Sequence, residues 1–234
     1  MPRIFCRGLL IDMDGVLVDS TAAIARVWGR WAARHNMDPA AIIALAHGRT
    51  SLAAIQEILP SASHKVHLEE NHWMERGEIE DFADVVALPG ARALLAAVPP
   101  AQRAVVTSAT RPLAEVRLRA AGLWDLVSQL VTASDIQHGK PDPEPYLKGA
   151  AALKLPPQHC IVIEDAASGT RSGKAAGARV LAIRTTSDDA SLLAAGADWV
   201  ANDCASLTCS ISTGTCQILI EFPEHEIPYL TKMS

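Results

Sequence analysis

Short apolar runs alternate with amphipathic segments along most of this chain. The runs predict buried strands, because each is short, largely apolar and followed by turn residues. These predicted strands are RGLLIDM at 7–13, RAVVTSA at 103–109, QLVTASD at 129–135, IVIEDA at 161–166 and ARVLAI at 178–183. The segments between them predict helices over 91–98, 112–122, 143–154 and 168–177. Strands that alternate with helices predict an α/β fold with a doubly wound parallel sheet, covered on both faces.

The section from about Ser20 to Val86 has a different pattern, with helical segments and no convincing strand. Trp28, Trp31 and Trp73 fall here, and side chains of this size are suited to fill the core of a helix bundle. We therefore predict a helical cap over residues 20–86, inserted into an α/β core of residues 1–19 and 87–204. Ligands of open parallel sheets bind beyond the carboxyl ends of the strands. A cap inserted just after the first strand is expected to lie over that site.

The last part of the chain, residues 205–234, is treated as a separate C-terminal tail. Its pattern predicts one strand, CQILIEF at 216–222, and otherwise no regular period. The tail also carries two of the five cysteines, Cys209 and Cys216, whereas Cys6 and Cys160 lie beside apolar runs and are expected to be buried thiols. An odd number of cysteines without paired spacing favours a reducing, cytoplasmic setting.

Composition narrows the range of partners. The chain of 234 residues has a formal net charge of −5, which argues against nucleic acid and anionic membranes as partners, because both require basic patches. Its apolar runs are shorter than the roughly 18 residues that a membrane-spanning helix needs. The start of the chain is not expected to act as a signal peptide, because its apolar run is short and ends in acids. We expect a monomer or homodimer that acts on a small molecule.

The first predicted strand ends in two carboxylates, Asp12 and Asp14, which are followed by Gly15. One of such a pair often only caps a helix or a turn. The ends of the other predicted strands, however, also carry polar residues: Thr107 and Ser108, Lys140 beyond the third strand, and Glu164 with Asp165. The carboxyl ends of parallel strands meet at one edge of the sheet. Carboxylates gathered in this way suit Mg²⁺, which prefers a few carboxylates, water and phosphate oxygens, while Ser108 and Lys140 are suited to hold a phosphoryl group.

Four motifs in this order resemble the haloacid dehalogenase superfamily, in particular its branch with a helical cap between the first two motifs. They are DMDGVLVDS, VVTSATR, GKPDPEPYLKGA and VIEDAASGTRSGKAAG, and the resemblance extends from about Leu9 to Asp203. It implies that Asp12 is the nucleophile, which forms an aspartyl-phosphate, and that Asp14 is the general acid and base. It also implies phosphate contacts at Ser108, Ala109 and Lys140. The implied Mg²⁺ ligands are Asp12, the backbone carbonyl of Asp14, and Asp165 with Glu164.

Differences within the superfamily narrow the chemistry. The dehalogenases lack an acid at the position of Asp14, and the ATP-driven ion pumps carry threonine there, so phosphate-ester chemistry is favoured. The sugar-phosphate mutases of the same branch remain an alternative. They carry a histidine where this chain has Ile24 and a Lys-Asn pair where it has Arg111-Pro112. Both departures favour hydrolysis, and an inactive binding or regulatory member is a second alternative.

The substrate is expected to be a small sugar or polyol phosphate. The stretches TASDIQHGKPDPEPYLKG and VVTSATR resemble the fungal phosphatases of glycerol-3-phosphate and 2-deoxyglucose-6-phosphate, although phosphoglycolate and other short esters stay open. Arg49, in HGRTS, lies where the family often uses a cap arginine to reach the substrate, and the alternative is an exposed arginine at the start of a helix. Ser20 and Arg111 are the other residues that we predict at the entrance and cap side of the site.

Overall fold

The computed structural model describes residues 2–46, 49–212 and 217–223. Cys216 and half of the predicted tail, residues 213–216 and 224–234, lie outside this described part. Within it the strands are β1 (Arg3–Cys6), β2 (Gly8–Ile11), β3 (Val18–Asp19), β4 (Val86–Ala87), β5 (Arg103–Val106), β6 (Leu130–Val131), β7 (Cys160–Glu164), β8 (Arg179–Ile183), β9 (Trp199–Ala201), β10 (Thr208–Ile211) and β11 (Ile218–Glu221).

The α-helices lie in the segments for which the sequence predicts them, apart from α9, which was not predicted. They are α1 (Thr21–Arg34), α2 (Pro39–Ala46), α3 (Ser51–Ile58), α4 (His64–Glu80), α5 (Ala91–Ala97), α6 (Arg111–Ala120), α7 (Glu144–Ala152), α8 (Ala167–Ala175) and α9 (Asp189–Ala194). Short 3₁₀ helices lie at Pro100–Gln102, Trp124–Leu126, Ala133–Asp135, Pro157–His159 and Cys204–Ser206.

The main sheet confirms the predicted parallel architecture. Its strand order is β6-β5-β2-β7-β8-β9, and every neighbouring pair is parallel. All four residues of β2 are buried, as expected for a central strand that pairs on both sides and has helices above and below. The register places Ile11 beside Val105 on one side and beside Ile163 on the other. The strand that carries the paired acids is therefore at the centre of the sheet.

Successive residues of the sheet strands pack on opposite faces, as the two-residue period requires. Leu9 and Ile11 belong to one apolar cluster, which includes residues of α5, α6 and β11. Leu10 belongs to a second cluster, which includes residues of α7. Both faces of the sheet are thus covered, and polar groups of the core are concentrated at the strand ends.

The helices α1 to α4 form a separate apolar cluster. Trp28 and Trp31 lie at its centre with edge-to-face rings whose centroids are 5.5 Å apart, and Trp73 packs against it. The chain leaves the sheet region through β3 and returns through β4, and these two short strands pair with each other, Asp19 opposite Val86. The sequence pattern did not predict these strands. The division into a cap of residues 20–86 and a core remains the prediction made from the sequence.

The C-terminal region contains more structure than its sequence pattern predicts. β11 lies within the predicted CQILIEF strand, and it pairs antiparallel with both β1 and β10 in a three-stranded sheet. Ile218 and Ile220 are buried in the same cluster as the main sheet, so residues 218–221 pack onto the core rather than form an independent tail. In the described ranges no helix has the length and apolar character needed to cross a membrane.

Candidate active site

The carboxyl ends of β2, β5 and β7 open into a cavity of about 600 Å³ between the sheet and the helices α1 to α4. Asp12 follows β2 directly, and its backbone N–H donates to the carbonyl of Ile163, 3.0 Å away. Asp12, Asp14, Ser108, Lys140, Glu164 and Asp165 all line this cavity. The structure therefore brings together the residues that the strand ends were expected to gather.

Lys140 lies at the centre of the cluster. Its buried ammonium donates to Asp12 Oδ1 at 2.5 Å and to Glu164 Oε1 at 2.6 Å. Burial alone would lower the pKa of Lys140, but the two adjacent carboxylates raise it above the usual lysine value. The side chain therefore stays protonated, which leaves it a permanent positive charge beside Asp12.

Glu164 is the most heavily bonded of the acids. Its Oε1 accepts hydrogen bonds from Lys140 and from the Tyr146 hydroxyl, the latter at 2.8 Å. Its Oε2 accepts the backbone N–H groups of Asp165 and Ala166 at 2.9 and 3.0 Å. A Cβ at Gly169 would overlap this carboxylate, so the first turn of α8 requires glycine there. Glu164 therefore holds the ammonium of Lys140 and the start of α8 in place, and its role as a metal ligand stays a prediction.

Asp165 completes a group of three buried acids. Carboxylate oxygens of Asp12, Glu164 and Asp165 lie within 4.8 Å of one another. Burial raises the pKa of Asp12 to about 7, with repulsion from Glu164 added and Lys140 opposing it. Burial followed by repulsion from Glu164 and Asp12 also raises the pKa of Asp165 well above its usual value. Three buried carboxyl groups thus face one ammonium and are difficult to ionise together, and this oxygen-rich donor set fits a hard divalent cation, which would favour their ionised forms.

The neighbouring loop is shaped around Asp165. Gly15 has a φ of +79°, and a Cβ at this position would overlap Asp165 Oδ2. Thr186 donates a hydrogen bond to the same carboxylate oxygen, and Thr185 donates to the carbonyl of Gly15. The glycine after the paired acids is therefore required both by its backbone conformation and by the close approach of Asp165.

Asp14 does not join the carboxylate cluster through its side chain. Its Oδ1 accepts from the Ser20 hydroxyl at 2.5 Å and from Arg117 Nη1 at 3.0 Å. Ser20 immediately precedes α1 and is buried. Asp12 and Asp14 therefore have separate surroundings: one faces Lys140 and the other acids, and the other faces a hydroxyl and a guanidinium.

The predicted phosphate contacts lie beside Asp12. Ser108 and Ala109 follow β5 and line the cavity. The Ala109 N–H already donates to the Thr107 hydroxyl at 3.1 Å, which fixes this turn. Ser108 is half-buried.

The two predicted arginine contacts differ in placement. Arg49 lines the cavity, and its guanidinium forms an ion pair with Glu57. Arg111 is not among the residues that line the cavity. It donates to Asp135 Oδ2 at 2.8 Å and to the Leu130 carbonyl at 3.2 Å, because the first turn of α6 points it toward the end of β6. The structure therefore does not bring Arg111 to the site.

Two buried residues of the site were missed in the sequence. Arg117 lies on the apolar stripe of α6 with Leu113, Ala114 and Leu118, and a charged residue at such a position is a signal that could have been noticed. Tyr146 lies within the predicted helix 143–154 and is fully buried under Glu164. Neither contact follows from local spacing, because the partners are far away in the chain.

The fold is a parallel α/β sheet with a cluster of buried acids at the carboxyl ends of its central strands. The sequence matches the family of haloacid dehalogenase-like hydrolases over residues 6–177. This match covers more than half of the chain, and the chain belongs to that family.

Curated relatives agree with this assignment. Hexitol phosphatase A of Escherichia coli is 40% identical over 185 residues, which cover 78% of this chain and 85% of the relative. Glycerol-1-phosphate phosphohydrolase 2 of Saccharomyces cerevisiae is 33% identical, with 76% of this chain and 75% of the relative covered. 2-Deoxyglucose-6-phosphate phosphatase 2 of the same yeast is 30% identical, with 87% and 90% covered. These relatives confirm the predicted family and identify the chain as a phosphoric monoester hydrolase.

A solved structure supports the fold and keeps the mutase alternative in view. A Bacteroides vulgatus protein with a provisional β-phosphoglucomutase name is 26% identical and has a TM-score of 0.74. The comparison covers 86% of this chain and 85% of that protein. The overall fold is thus shared with that solved structure.

Proposed function

We propose that this chain is a Mg²⁺-dependent phosphatase that hydrolyses a small sugar or polyol phosphate through an aspartyl-phosphate on Asp12. The observation that carries the proposal is the position of Asp12 at the end of the central strand, 2.5 Å from the ammonium of Lys140, in a cavity under the helices. The activity class is that of the named relatives, whereas the metal, the covalent route and the substrate are our inference.

In the first step, Asp12 attacks the phosphorus atom and the bond from phosphorus to the substrate oxygen breaks. A phosphate monoester carries negative charge that repels a carboxylate, and Lys140 offsets this repulsion and stabilises charge on the phosphoryl oxygens. Ser108 offers a hydroxyl to the same oxygens. Asp14 gives its proton to the departing alkoxide, which would otherwise be a poor leaving group.

In the second step, water attacks the phosphorus atom of the aspartyl-phosphate and Asp14 takes the proton from that water. The bond between Asp12 and phosphorus breaks, which regenerates the carboxylate and releases inorganic phosphate. Splitting one difficult hydrolysis into two displacements is the general advantage of covalent catalysis. The separate surroundings of Asp12 and Asp14 suit these separate roles.

Asp12, Asp165 and the backbone carbonyl of Asp14 are the groups that would hold Mg²⁺, with Glu164 adjacent. When bound, the ion would add positive charge beside the phosphoryl group and lower the proton affinity of Asp12. The assignment is supported by the three buried carboxyl groups, whose oxygens lie within 4.8 Å of one another.

The walls of the cavity support a polyol or sugar as the leaving group. On α4, Asn71, Glu75 and Glu78 line the cavity at the i, i+4 and i+7 positions of one helix face. This polar stripe spans about 10 Å at 1.5 Å per residue. On α1, Ile24 and Trp28 line the cavity with apolar side chains. A polyol can place its hydroxyls against the stripe and its C–H groups against the apolar side chains.

The acidic character of the stripe also bears on the mutase alternative, which the Bacteroides neighbour favours. Glu75 would repel a leaving group that carries its own negative charge, such as a second phosphate or a carboxylate, whereas Glu78 is paired with Arg117. A neutral polyol avoids this repulsion, which supports hydrolysis of a monophosphate over transfer between phosphates of a sugar.

The reducing, cytoplasmic setting remains part of the proposal, supported by free thiols at Cys6, Cys160, Cys204 and Cys209.

A substrate panel tests the proposal. We expect kcat/KM to be higher for hexitol and glycerol monophosphates than for phosphoglycolate or a sugar bisphosphate. Glu75→Gln should narrow this preference, whereas Glu115→Gln, which changes an exposed acid of α6, should leave it unchanged. Conversion of a sugar 1-phosphate into its 6-phosphate without phosphate release would support the mutase. Absence of turnover on every ester would support an inactive member, and full activity after exhaustive chelation would contradict the metal requirement.

A further inference from the structure

Arg117 is a buried guanidinium at a position where the helix pattern calls for an apolar residue. It is 3% exposed and lies on the face of α6 that also carries Leu113, Ala114 and Leu118. Burying a charge is costly unless the charge is paired and hydrogen-bonded. A leucine would fill this position without that cost, so the contacts of Arg117 need an explanation.

The two ends of the guanidinium reach different parts of the molecule. Nη1 donates to Asp14 Oδ1 at 3.0 Å. Nη2 faces Glu78 Oε2 of α4 at 3.6 Å, an ion pair that is longer than a hydrogen bond, and this buried atom has no hydrogen-bond partner in the described part of the chain. Glu78 is itself only 5% exposed. Arg117 therefore bridges the acid that follows the central strand and an acid on the helices that cover it.

The contacts of Asp14 are equally specific. The Ser20 hydroxyl and Arg117 both donate to Oδ1. Two donors on one oxygen fix the plane of the carboxylate and leave the second oxygen, Oδ2, for proton transfer. Ser20 stands immediately before α1, and Arg117 of α6 faces Glu78 of α4, so both donors are linked to the helices that cover the cavity.

We propose that Arg117 is a positioning residue, which orients Asp14 for proton transfer and links this orientation to the seating of α4 through Glu78. The proposal rests on the proposed role of Asp14 as acid and base. A movement of α4 by roughly half an ångström would bring Nη2 and Glu78 into hydrogen-bond range. The guanidinium would then be held at both ends, and Asp14 would be held most firmly when the helices close over a substrate.

The test compares Arg117→Gln with the wild type on two substrates with different leaving groups. p-Nitrophenolate leaves without a proton, so its release in the first turnover should stay within about threefold of the wild-type rate. The second step still needs Asp14 as base, so steady-state kcat should fall by about 10–100-fold, part of the 10²–10⁴ that general acid–base catalysis supplies. The result would be a burst of p-nitrophenolate followed by slow turnover. With glycerol phosphate, both steps need Asp14, so kcat should fall by a similar factor without a burst, and KM should change little.

Further variants separate positioning from a structural role. Arg117→Lys keeps the charge and one donor and should recover part of the lost kcat. Glu78→Gln keeps the size of the side chain and should also give a burst of p-nitrophenolate, with steady-state kcat lowered by about 3–10-fold. This variant serves as the test if Arg117→Gln does not fold. Arg119→Gln is the matched control, because Arg119 lies on the same helix and pairs with Glu115 at the surface. We expect it to leave both substrates unaffected.

Several results would overturn the inference. If the first-turnover rate and the steady-state rate fell together in proportion to a lowered melting temperature, Arg117 would be structural. If kcat stayed at the wild-type value in both Arg117→Gln and Glu78→Gln, the residue would have no part in the reaction. A failure of the covalent route would be seen separately, as an absence of phosphoryl-Asp12 in acid-quenched wild-type enzyme, while the leaving-group comparison would still decide the role of Arg117.

Discussion

Replacing Lys140 by methionine removes the ammonium that separates Asp12 from Glu164 while keeping a side chain of similar length. In the folded protein this ammonium makes two short hydrogen bonds to carboxylates and is buried with them. Removing one partner of a buried ion pair typically costs about 3–5 kcal/mol, because the remaining charge is left uncompensated. For a protein of this size, 1 kcal/mol corresponds to about 2–4 °C in melting temperature. We therefore expect the metal-free variant to melt about 6–20 °C below the wild type.

The difference in melting temperature between the wild type and Lys140→Met should increase with pH. Burial already raises the pKa of Asp12 to about 7 with Lys140 present, and removing Lys140 should raise it further. At pH 6 most Asp12 is then protonated in both folded proteins, and the cost of the unpaired charge is reduced. At pH 8 Asp12 is ionised in the unfolded chains of both proteins, whereas in the folded variant its ionisation costs more free energy than in the folded wild type. This cost lowers the stability of the variant. The gap between wild type and variant should therefore widen from pH 6 to pH 8.

Differential scanning calorimetry in the presence of a chelator measures both effects. Lys148→Met is the matched control, because Lys148 lies on α7 and pairs with Glu144 at 2.9 Å on the surface. Exposed pairs contribute about 0–1 kcal/mol, so this control should melt within a few degrees of the wild type. A Lys140→Met protein that melts with the control, or a gap that narrows at higher pH, would refute the reasoning about the buried cluster.

Other substitutions test the remaining parts of the site. Asp12→Asn should abolish turnover with little change in melting temperature, and retention of a substantial fraction of activity would contradict a covalent role. Asp14→Asn should slow both steps by about 10²–10⁴-fold, which rapid-quench kinetics would resolve; an effect on only one step would be inconsistent with a shared acid and base. Asp165→Asn should weaken Mg²⁺ binding measured by calorimetry, while Glu164→Gln should mainly lower the melting temperature; the reverse order would make Glu164 the principal ligand. Arg49→Ala should lower kcat/KM for a polyol phosphate by about 10–100-fold, corresponding to one charge-assisted contact of about 1.5–3 kcal/mol, and should spare an aryl phosphate; equal losses on both would indicate that Arg49 only holds the helices together.

The central part of this fold was predictable because it depends on local patterns. Short apolar runs predicted the strands β2, β5, β6, β7 and β8 of the main sheet. Gly122 and Gly177 stand with positive φ just after α6 and α8, where helix ends favour glycine. The cluster of Asp12, Lys140 and Asp165 was predictable for a further reason. Parallel strands bring their carboxyl ends to one edge, so polar residues that follow separate strands meet there.

The parts that were missed depend on contacts between distant segments. β1 and β10 find their partner in β11, more than 200 residues from β1 and across residues 213–216 from β10. The sequence spacing did not predict that Tyr146 and two backbone N–H groups donate to the oxygens of Glu164. Arg111 follows the second motif closely, yet Asp135 draws it away from the cavity. Such competition between partners is not encoded in spacing along one segment.

Detection of a phosphoryl group on Asp12 tests the central claim most directly. The wild-type enzyme would be mixed with p-nitrophenyl phosphate and Mg²⁺, quenched in acid within the first turnover, digested and examined by mass spectrometry. We predict a phosphorylated peptide that contains Asp12, absent from Asp12→Asn and enriched in Asp14→Asn, whose second step is slow. Release of p-nitrophenolate at the normal first-turnover rate with no phosphoryl group on Asp12, or with the group on another residue, would contradict the account.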